Sequence, residues 1–317
     1  LSSFDDTILG QHARRLRSLL KGSDPIVAPG VYDALSGTLV AEAGFSAAYL
    51  SGASIAYTKL GRPDIGLVSA AEVADTIAHI RERIDIPLIV DSDTGFGNAL
   101  NVQRTVRVFE RAGASALQVE DQAMPKRCGH LTGKSLISKD EMVGKVKAAL
   151  DARLDPNTIV IARTDAIAVE GFDLAMERAQ AYAEAGADML FIEAPASQAQ
   201  VEHIARSFAD RLPLLANMVE GGATPILSAD RLAELGFRVV IYPGALVRAI
   251  VWTAQRMLQS LREHGTTAHY RDRMLDIGGL NEVIGTRALL AAGERYDPTI
   301  APASVNRGEQ PRAKGAR

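Results

Sequence analysis

Eight short apolar runs, each followed by a stretch of helical composition, constrain this chain more than any other feature. The runs fall at 26–28, 47–50, 88–90, 116–119, 158–162, 189–192, 214–216 and 238–241. Composition and 3.6-residue spacing predict the intervening helices over 34–44, 70–83, 102–112, 139–152, 174–185, 198–209, 229–235 and 246–263. The phrases ERAGASAL, AEAGADML and AELGFRVV repeat one pattern: a helix end, a glycine, then a new strand. Eight such units close a parallel barrel, an α/β fold of the (β/α)8 TIM type, whose active residues sit at the C-terminal ends of the strands. A doubly wound open sheet is the competing arrangement, and the count of eight favours the barrel.

The remaining segments are additions to that frame. Residues 4–20 have amphipathic helical spacing, with Ile8, Ala13, Leu16, Leu19 and Leu20 on one face. Pro29 and Gly30 are expected to turn the chain after the first strand, and 59–66 to form a polar loop. Residues 270–295 read as further helix with a bend at Gly278 and Gly279. From Pro298 onward few large apolar residues remain, so 1–297 reads as one barrel domain with extra N- and C-terminal helices and 298–317 as a disordered tail.

Composition excludes several classes of function. A formal charge of -3 and 5% aromatic residues give neither a basic surface nor a stacking platform, so no nucleic-acid partner is expected. There is no 18-residue apolar run and no basic-then-apolar leader, so neither a membrane span nor secretion is expected. The single cysteine excludes an intrachain disulfide framework and fits a reducing, cytoplasmic setting.

Two strand ends carry the chemistry. IPLIVDSDTGFG ends a strand at Asp91 and Asp93, and ALQVEDQAMPKRCGH ends the next at Glu120 before delivering Lys126, Arg127, Cys128, Gly129 and His130. Grouped carboxylates with retained waters suit Mg²⁺ or Mn²⁺; the competing role is capping helices or pairing with Lys126 or Arg163. Cys128, flanked by cations and glycines, has the surroundings that stabilise a thiolate, against the alternative of inert core filler. Arg163 can clamp a carboxylate with its planar fork or pair with Asp165 or Glu193. Glu193 is an acid/base candidate. Asn217 is a donor or a turn former, and Ser51, Gly52 and Ala53 supply a hydroxyl and amides or merely a tight turn. GFGNA and EGG do not make a dinucleotide fingerprint, and the other histidines lack metal-ligand spacing.

PGVYDALS at 29–36, SGASIA at 51–56, LGRPDIG at 60–66, VDSDTGFG at 90–97, VEDQAMPKRCGH at 119–130, ARTDA at 162–166, FIEAP at 191–195 and NMVEGG at 217–222 together resemble the isocitrate lyase and phosphoenolpyruvate mutase superfamily. The resemblance implies Mg²⁺ held by Asp91, Asp93 and Glu120, with Cys128 as catalytic acid/base. Tyr49, Ser51, Gly52, Asp64, Gly129, His130, Arg163, Glu193 and Asn217 would line the site, with Ala53, Lys126 and Arg127 among the substrate contacts. Tyr49, Asp64 and Glu193 stay open as the base.

KRCGH is similar to the lyase branch, which implies cleavage of a 2-hydroxy dicarboxylate to an α-keto acid such as pyruvate and a second carboxylate. SGAS and EGG, where methylisocitrate lyases usually carry SGGG and EFG, look more like alkylmalate lyases of the 2,3-dimethylmalate type, and HLTGK also departs from the HRPNK usual in methylisocitrate lyases. Cleavage of 2-methylisocitrate is the alternative, followed by oxaloacetate decarboxylation, a phosphonomutase and a noncatalytic structural protein. The resemblance also implies an exchanged eighth helix and a homotetramer of helix-swapped dimers.

Overall fold

Successive strands pair in parallel and in sequence order in the computed structural model, which describes residues 10–129 and 131–297. They are β1 Ile26–Val31, β2 Ala48–Leu50, β3 Leu88–Asp91, β4 Ala116–Glu120, β5 Ile159–Thr164, β6 Met189–Ile192, β7 Leu214–Asn217 and β8 Phe237–Tyr242. β8 pairs back onto β1, with Ile26 opposite Val239, and this closes the expected barrel.

Strand side chains alternate in direction, so each strand feeds two cores. One phase fills the interior: Ile26, Tyr49, Ile89, Ala116, Ile161, Phe191, Leu215 and Val239 pack together there, joined by Leu16. The other phase, including Leu88, Val90, Leu117 and Val160, packs against the surrounding helices. Advancing two residues along the inward phase gives Ser51 after Tyr49, Asp91 after Ile89, Arg163 after Ile161, Glu193 after Phe191 and Asn217 after Leu215. Glu120 lies four beyond Ala116. One periodicity therefore builds an apolar interior and crowns it with a polar ring.

The helices are α1 Gln11–Leu20, α2 Ala34–Glu42, α3 Gly52–Ile55, α4 Ala70–Arg81, α5 Ala99–Ala112, α6 Lys139–Ala152, α7 Phe172–Glu184, α8 Gln198–Phe208, α9 Ala229–Leu235 and α10 Ala245–His264. Their starts are chemically marked. Ser69 and Glu72 form a capping box at α4, and Ser138, Ser197 and Ser228 cap α6, α8 and α9. The repeated glycines Gly113, Gly186 and Gly236 have φ of 112°, 99° and 107°, the left-handed conformation that lets a helix end and the next strand begin.

Contacts divide the chain into two compact units, Leu1–Gln259 and Ser260–Arg317. The second contains a 3₁₀ segment, Thr267–Arg273, then α11 Ile277–Val283 and α12 Thr286–Glu294, two helices without a buried residue. No helix among the described residues is long and apolar enough to cross a membrane.

Several local expectations are corrected. Pro29 and Gly30 continue β1 rather than turning the chain, because pairing with β8 runs on to Pro29 and pairing with β2 takes over at Gly30 and Val31. Gly30 fits there because a Cβ would lie 1.9 Å from the Pro243 carbonyl oxygen. The loop expected from Lys59 is preceded by α3 and a π-helical turn, Ala56–Leu60, that includes Lys59. Gly278 and Gly279 form the first turn of α11 rather than a bend, since the Asp276 carboxylate accepts from Gly279 N. The break comes instead at Gly285, with φ 72°. Residues 4–9 of the N-terminal helix and the 298–317 tail lie outside the described residues.

Candidate active site

The polar ring encloses a cavity of about 130 Å³ lined by groups from across the mouth, including Tyr49, Ser51, Ala53, Asp64, Asp91, Glu120, Arg163, Glu193 and Asn217. Lys126, Arg127, Cys128 and Gly129 line it as well, from the segment that follows β4. His130 lies outside the described residues. Of the other expected site residues, Gly52 and Asp93 stand behind this lining.

On the β3–β4 side, the turn after β3 is tightly wound. Asp93 has φ 46°, and its amide donates to Asp91 Oδ1, which also accepts from Gln118 Nε2 at 3.2 Å. Gln118 Oε1 in turn accepts from the Tyr49 hydroxyl at 2.8 Å. Burial, reinforced by Asp91, pushes the Tyr49 phenol well above its usual range, so it stays protonated and acts as a donor. A Cβ on Gly52 would sit 3.3 Å from Asp91 Oδ2 and 3.4 Å from Asp93 Oδ1, so glycine lets the main chain approach both acids.

Lys126 is the resident counter-charge on this side. Its Nζ stands 2.6 Å from Oδ1 of both Asp64 and Asp93, and its side chain is 3% exposed. Burial opposes the ammonium, but Asp93 and Asp64 outweigh it and hold Lys126 well above its ordinary pKa. Burial pushes Asp93 up to about 7 against the pull of Lys126, and it raises Glu120 well above the carboxylate range against Arg163.

These donors suit a hard divalent cation. Glu120 Oε1 is buried without a hydrogen-bond partner among the described residues, and Asp91 presents its second oxygen beside Gly52. Among the described residues no group of three or more His, Cys, Asp or Glu side chains forms a ready-made cage. A site of one or two carboxylates completed by water and substrate oxygens is the Mg²⁺ pattern, and a closed zinc site is not. Asp91 and Glu120 would contribute directly, with Asp93 beside them.

On the β5–β7 side, charges meet resident partners. Arg163 donates from Nε and Nη2 to the two Asp165 oxygens at 2.9 and 3.0 Å, stacks over Phe191 and lies 3.4 Å from Glu120 Oε2. The competing role, an ion pair with Asp165, is thus realised, and Arg163 still lines the cavity. Burial opposes charge in this pair, yet each partner overcomes it: Arg163 is held above its usual pKa and Asp165 below. Asp165 is seated by its backbone amide, which donates to Asp121 Oδ1 at 2.9 Å. Asp121 also accepts from Thr164 and Tyr182, so it is a structural anchor behind the ring. The Asn217 amide donates to both Glu193 oxygens at 3.3 and 3.2 Å.

The segment after β4 lies against this ring. Gln122 exchanges two hydrogen bonds with the Arg127 backbone, and Cys128 N donates to the Asp64 carbonyl at 3.1 Å. Asp64 therefore contributes twice, through its carboxylate to Lys126 and its carbonyl to the cysteine. A Cβ on Gly129 would lie 2.5 Å from Arg163 Nη2 and 2.9 Å from Glu193 Cγ, so this turn rests directly on both groups.

Sequence reading missed Gln118, Gln122, Lys134, Tyr57 and Arg248. Gln118 shares the inward phase of Glu120, so its signal was periodicity. Tyr57 and Arg248 line the cavity, and Arg248 pairs with Glu220; nothing in their spacing marks them.

A profile of the phosphoenolpyruvate phosphomutase family matches residues 16–262. The 2,3-dimethylmalate lyase of Eubacterium barkeri is 41% identical over 284 residues, which cover 90% of this chain and 98% of that protein. The 2-methylisocitrate lyase of Aeropyrum pernix is 46% identical over 270 residues, 85% of this chain and 86% of that protein. Among solved structures, oxaloacetate acetylhydrolase in complex with 3,3-difluorooxalacetate superposes with a TM-score of 0.86 at 34% identity, covering 91% of this chain and 97% of that one. Phosphonopyruvate hydrolase in complex with oxalate and Mg²⁺ superposes with a TM-score of 0.81 at 31% identity, covering 90% and 99%.

Proposed function

Because the chain belongs to the phosphoenolpyruvate mutase and isocitrate lyase superfamily, we propose that it is a carbon–carbon lyase cleaving a 2-hydroxy dicarboxylate between C2 and C3. The favoured substrate is an alkylmalate of the 2,3-dimethylmalate type, giving pyruvate and propionate. The observation that carries this reading is that Cys128, Arg163, Asp91 and Glu120 wall the same cavity. One enclosure thus offers a thiol, an anion clamp and oxygen donors for a cation.

Asp91, Asp93 and Glu120 would hold Mg²⁺, or Mn²⁺ in its place, and the bound ion supplies Lewis acidity toward the substrate's hydroxyl and carboxylate oxygens. Arg163, preset by Asp165, faces a substrate carboxylate. Glu193, oriented by Asn217, takes the C2 hydroxyl proton. Among the three candidate bases, Tyr49 is held protonated by burial and Asp64 Oδ1 is engaged by Lys126. As the C2–O bond becomes a carbonyl, the C2–C3 electron pair moves onto C3 and forms a carboxylate-stabilised enolate. The Cys128 Sγ–H delivers its proton to C3 while Glu193 keeps the hydroxyl proton, so one proton leaves and one enters, the two products together have the substrate's composition, and proton exchange with water restores the thiol and the carboxylate. Gly129 and the ring beneath it exclude water from the enolate.

Cleavage of 2-methylisocitrate to pyruvate and succinate is the second reading. It is favoured by 46% identity to a lyase of that name and by Arg127 and Arg248 in the cavity wall, which could meet a third carboxylate. We further infer a homo-oligomer in which α10 is exchanged. Its exposed Ile250, Val251, Trp252 and Leu258 support that reading, and light scattering that returned a monomer would remove it.

The experiment is Mg²⁺-dependent product release from 2,3-dimethylmalate, 2-methylisocitrate, isocitrate and oxaloacetate, with both products weighed. Propionate from dimethylmalate supports the favoured assignment, and succinate from methylisocitrate moves the chain to the second. Turnover of oxaloacetate alone would sink the lyase reading.

A further inference from the structure

We propose that Lys134 is a positioning residue whose ammonium latches the Cys128–Gly129 turn onto Asp165. Lys134 lies in an exposed stretch, with Leu131, Thr132, Gly133 and Ser135 all open to solvent, yet its side chain is only 2% exposed. A buried ammonium needs partners to stay charged. Lys134 Nζ donates to the Gly129 carbonyl and lies 3.4 Å from Asp165 Oδ1. One end of this contact is the turn that carries the thiol. The other is the carboxylate that forks onto Arg163.

The two limbs of the segment are tied differently. The first is held by Gln122 on the Arg127 backbone and by Lys126 between Asp64 and Asp93. The returning limb is joined by backbone bonds from Ala123 N to Ser135 O and from Ile137 N to Asp121 O. Cys128 N on the Asp64 carbonyl, Leu131 N on the Cys128 carbonyl and Arg127 Nη1 on the Thr132 carbonyl hold the Cys128 side and the tip of the turn. Lys134 adds the tie from Gly129 to Asp165, where Gly129 rests on Arg163 and Glu193 and no Cβ would fit. Asp165 does not depend on Lys134 for its position, because Asp121 and Arg163 fix it from two sides. The latch therefore closes onto a prebuilt anchor, and its loss loosens the Gly129 side of the turn while the bonds at Cys128 and the barrel stay in place.

This inference rests on the proposed lyase reading only for its effect on turnover. The primary readout needs no substrate, because Cys128 is the chain's only cysteine and its alkylation reports access to the turn. The full-length protein, its Lys134→Met variant and its Lys134→Arg variant are treated with iodoacetamide, and modification is followed by mass. Lys134→Met is expected to alkylate about tenfold faster, the factor that corresponds to roughly 1.4 kcal/mol of lost closure, with the thermal midpoint unchanged. Lys134→Arg, which keeps a cation within reach of Asp165, restores most of the protection. With a turned-over substrate in hand, kcat should fall more than KM rises. An unchanged alkylation rate in Lys134→Met would overturn the latch, as would faster alkylation accompanied by a large fall in thermal midpoint. Faster alkylation with unchanged turnover would uphold the latch and count against Cys128 as proton donor.

Discussion

On the β5–β7 side of the mouth, Arg163 is forked on Asp165, Asp165 is seated on Asp121, and Glu193 receives the Asn217 amide. On the β3–β4 side, Glu120 Oε1 has no hydrogen-bond partner among the described residues, and Asp93 relies on an ammonium that arrives on the following segment rather than from the barrel. The charged groups of the first side are paired by folding alone, and only the Asn217 Oδ1 there is buried without a hydrogen-bond partner among the described residues. On the proposed reading the second would be completed by what enters it, the difference expected between an anion clamp and a cation site.

The largest effect should follow from breaking the finished side. Arg163→Met leaves Asp165 with Lys134 alone and Glu120 without its 3.4 Å guanidinium, a change that costs about 3–5 kcal/mol, and urea denaturation should show this loss together with absent turnover. A variant as stable as the parent would mean that the β5–β7 charges are not held as the distances imply.

The open side should respond in the opposite sense. Glu120→Gln removes a buried carboxylate with an orphaned oxygen, so the metal-free protein should be no less stable than the parent. In the parent, Mg²⁺ at a hundredfold over its Kd should add about 2.7 kcal/mol, and thermal scans should show that gain lost in the variant. A metal-induced gain that survived Glu120→Gln would separate Glu120 from the cation site.

A pH series sharpens the same contrast. Asp93 is raised from 3.8 to about 7, so the folded state binds its proton more tightly than the unfolded state. Its contribution to metal-free stability is full below the unfolded value and is lost as pH rises through about 7. The cation competes with that proton, so the Mg²⁺-induced rise in thermal midpoint should be larger at pH 8 than at pH 6. A flat response would remove Asp93 from the site.

The smallest effect belongs behind the ring. Tyr182→Phe deletes one of several donors to Asp121 and should cost about 1 kcal/mol, with kcat nearly unchanged. A large loss of activity there would show that the anchor is less redundant than its four donors, from Thr164, Asp165, Arg178 and Tyr182, indicate.

The barrel was legible because its signal is repetition. Eight apolar runs and the glycines at 113, 186 and 236 each state the same unit, and α6, α9 and β6 fall at the bounds expected from composition alone. The site was legible where it extends a strand: Asp91, Glu120, Arg163, Glu193 and Asn217 continue the inward phase. Lys134 was not legible, because its burial depends on how a loop folds back over Asp165, and loop sequence carries no periodicity to report that. Arg248 and Tyr57 escaped for a related reason, since they reach the cavity from helical turns rather than strand ends. Pro29 and Gly30 misled because their local turn preference yields to pairing on both sides of β1.

The most direct test of Cys128 as proton donor in C2–C3 cleavage is turnover of 2,3-dimethylmalate with Mg²⁺ in D₂O, comparing the parent with Cys128→Ser and weighing the propionate. The parent should release propionate carrying one deuterium at the former C3, and the variant should bind substrate with little change while its kcat falls by about 10²–10⁴. Propionate formed at an undiminished rate by Cys128→Ser would contradict the assignment.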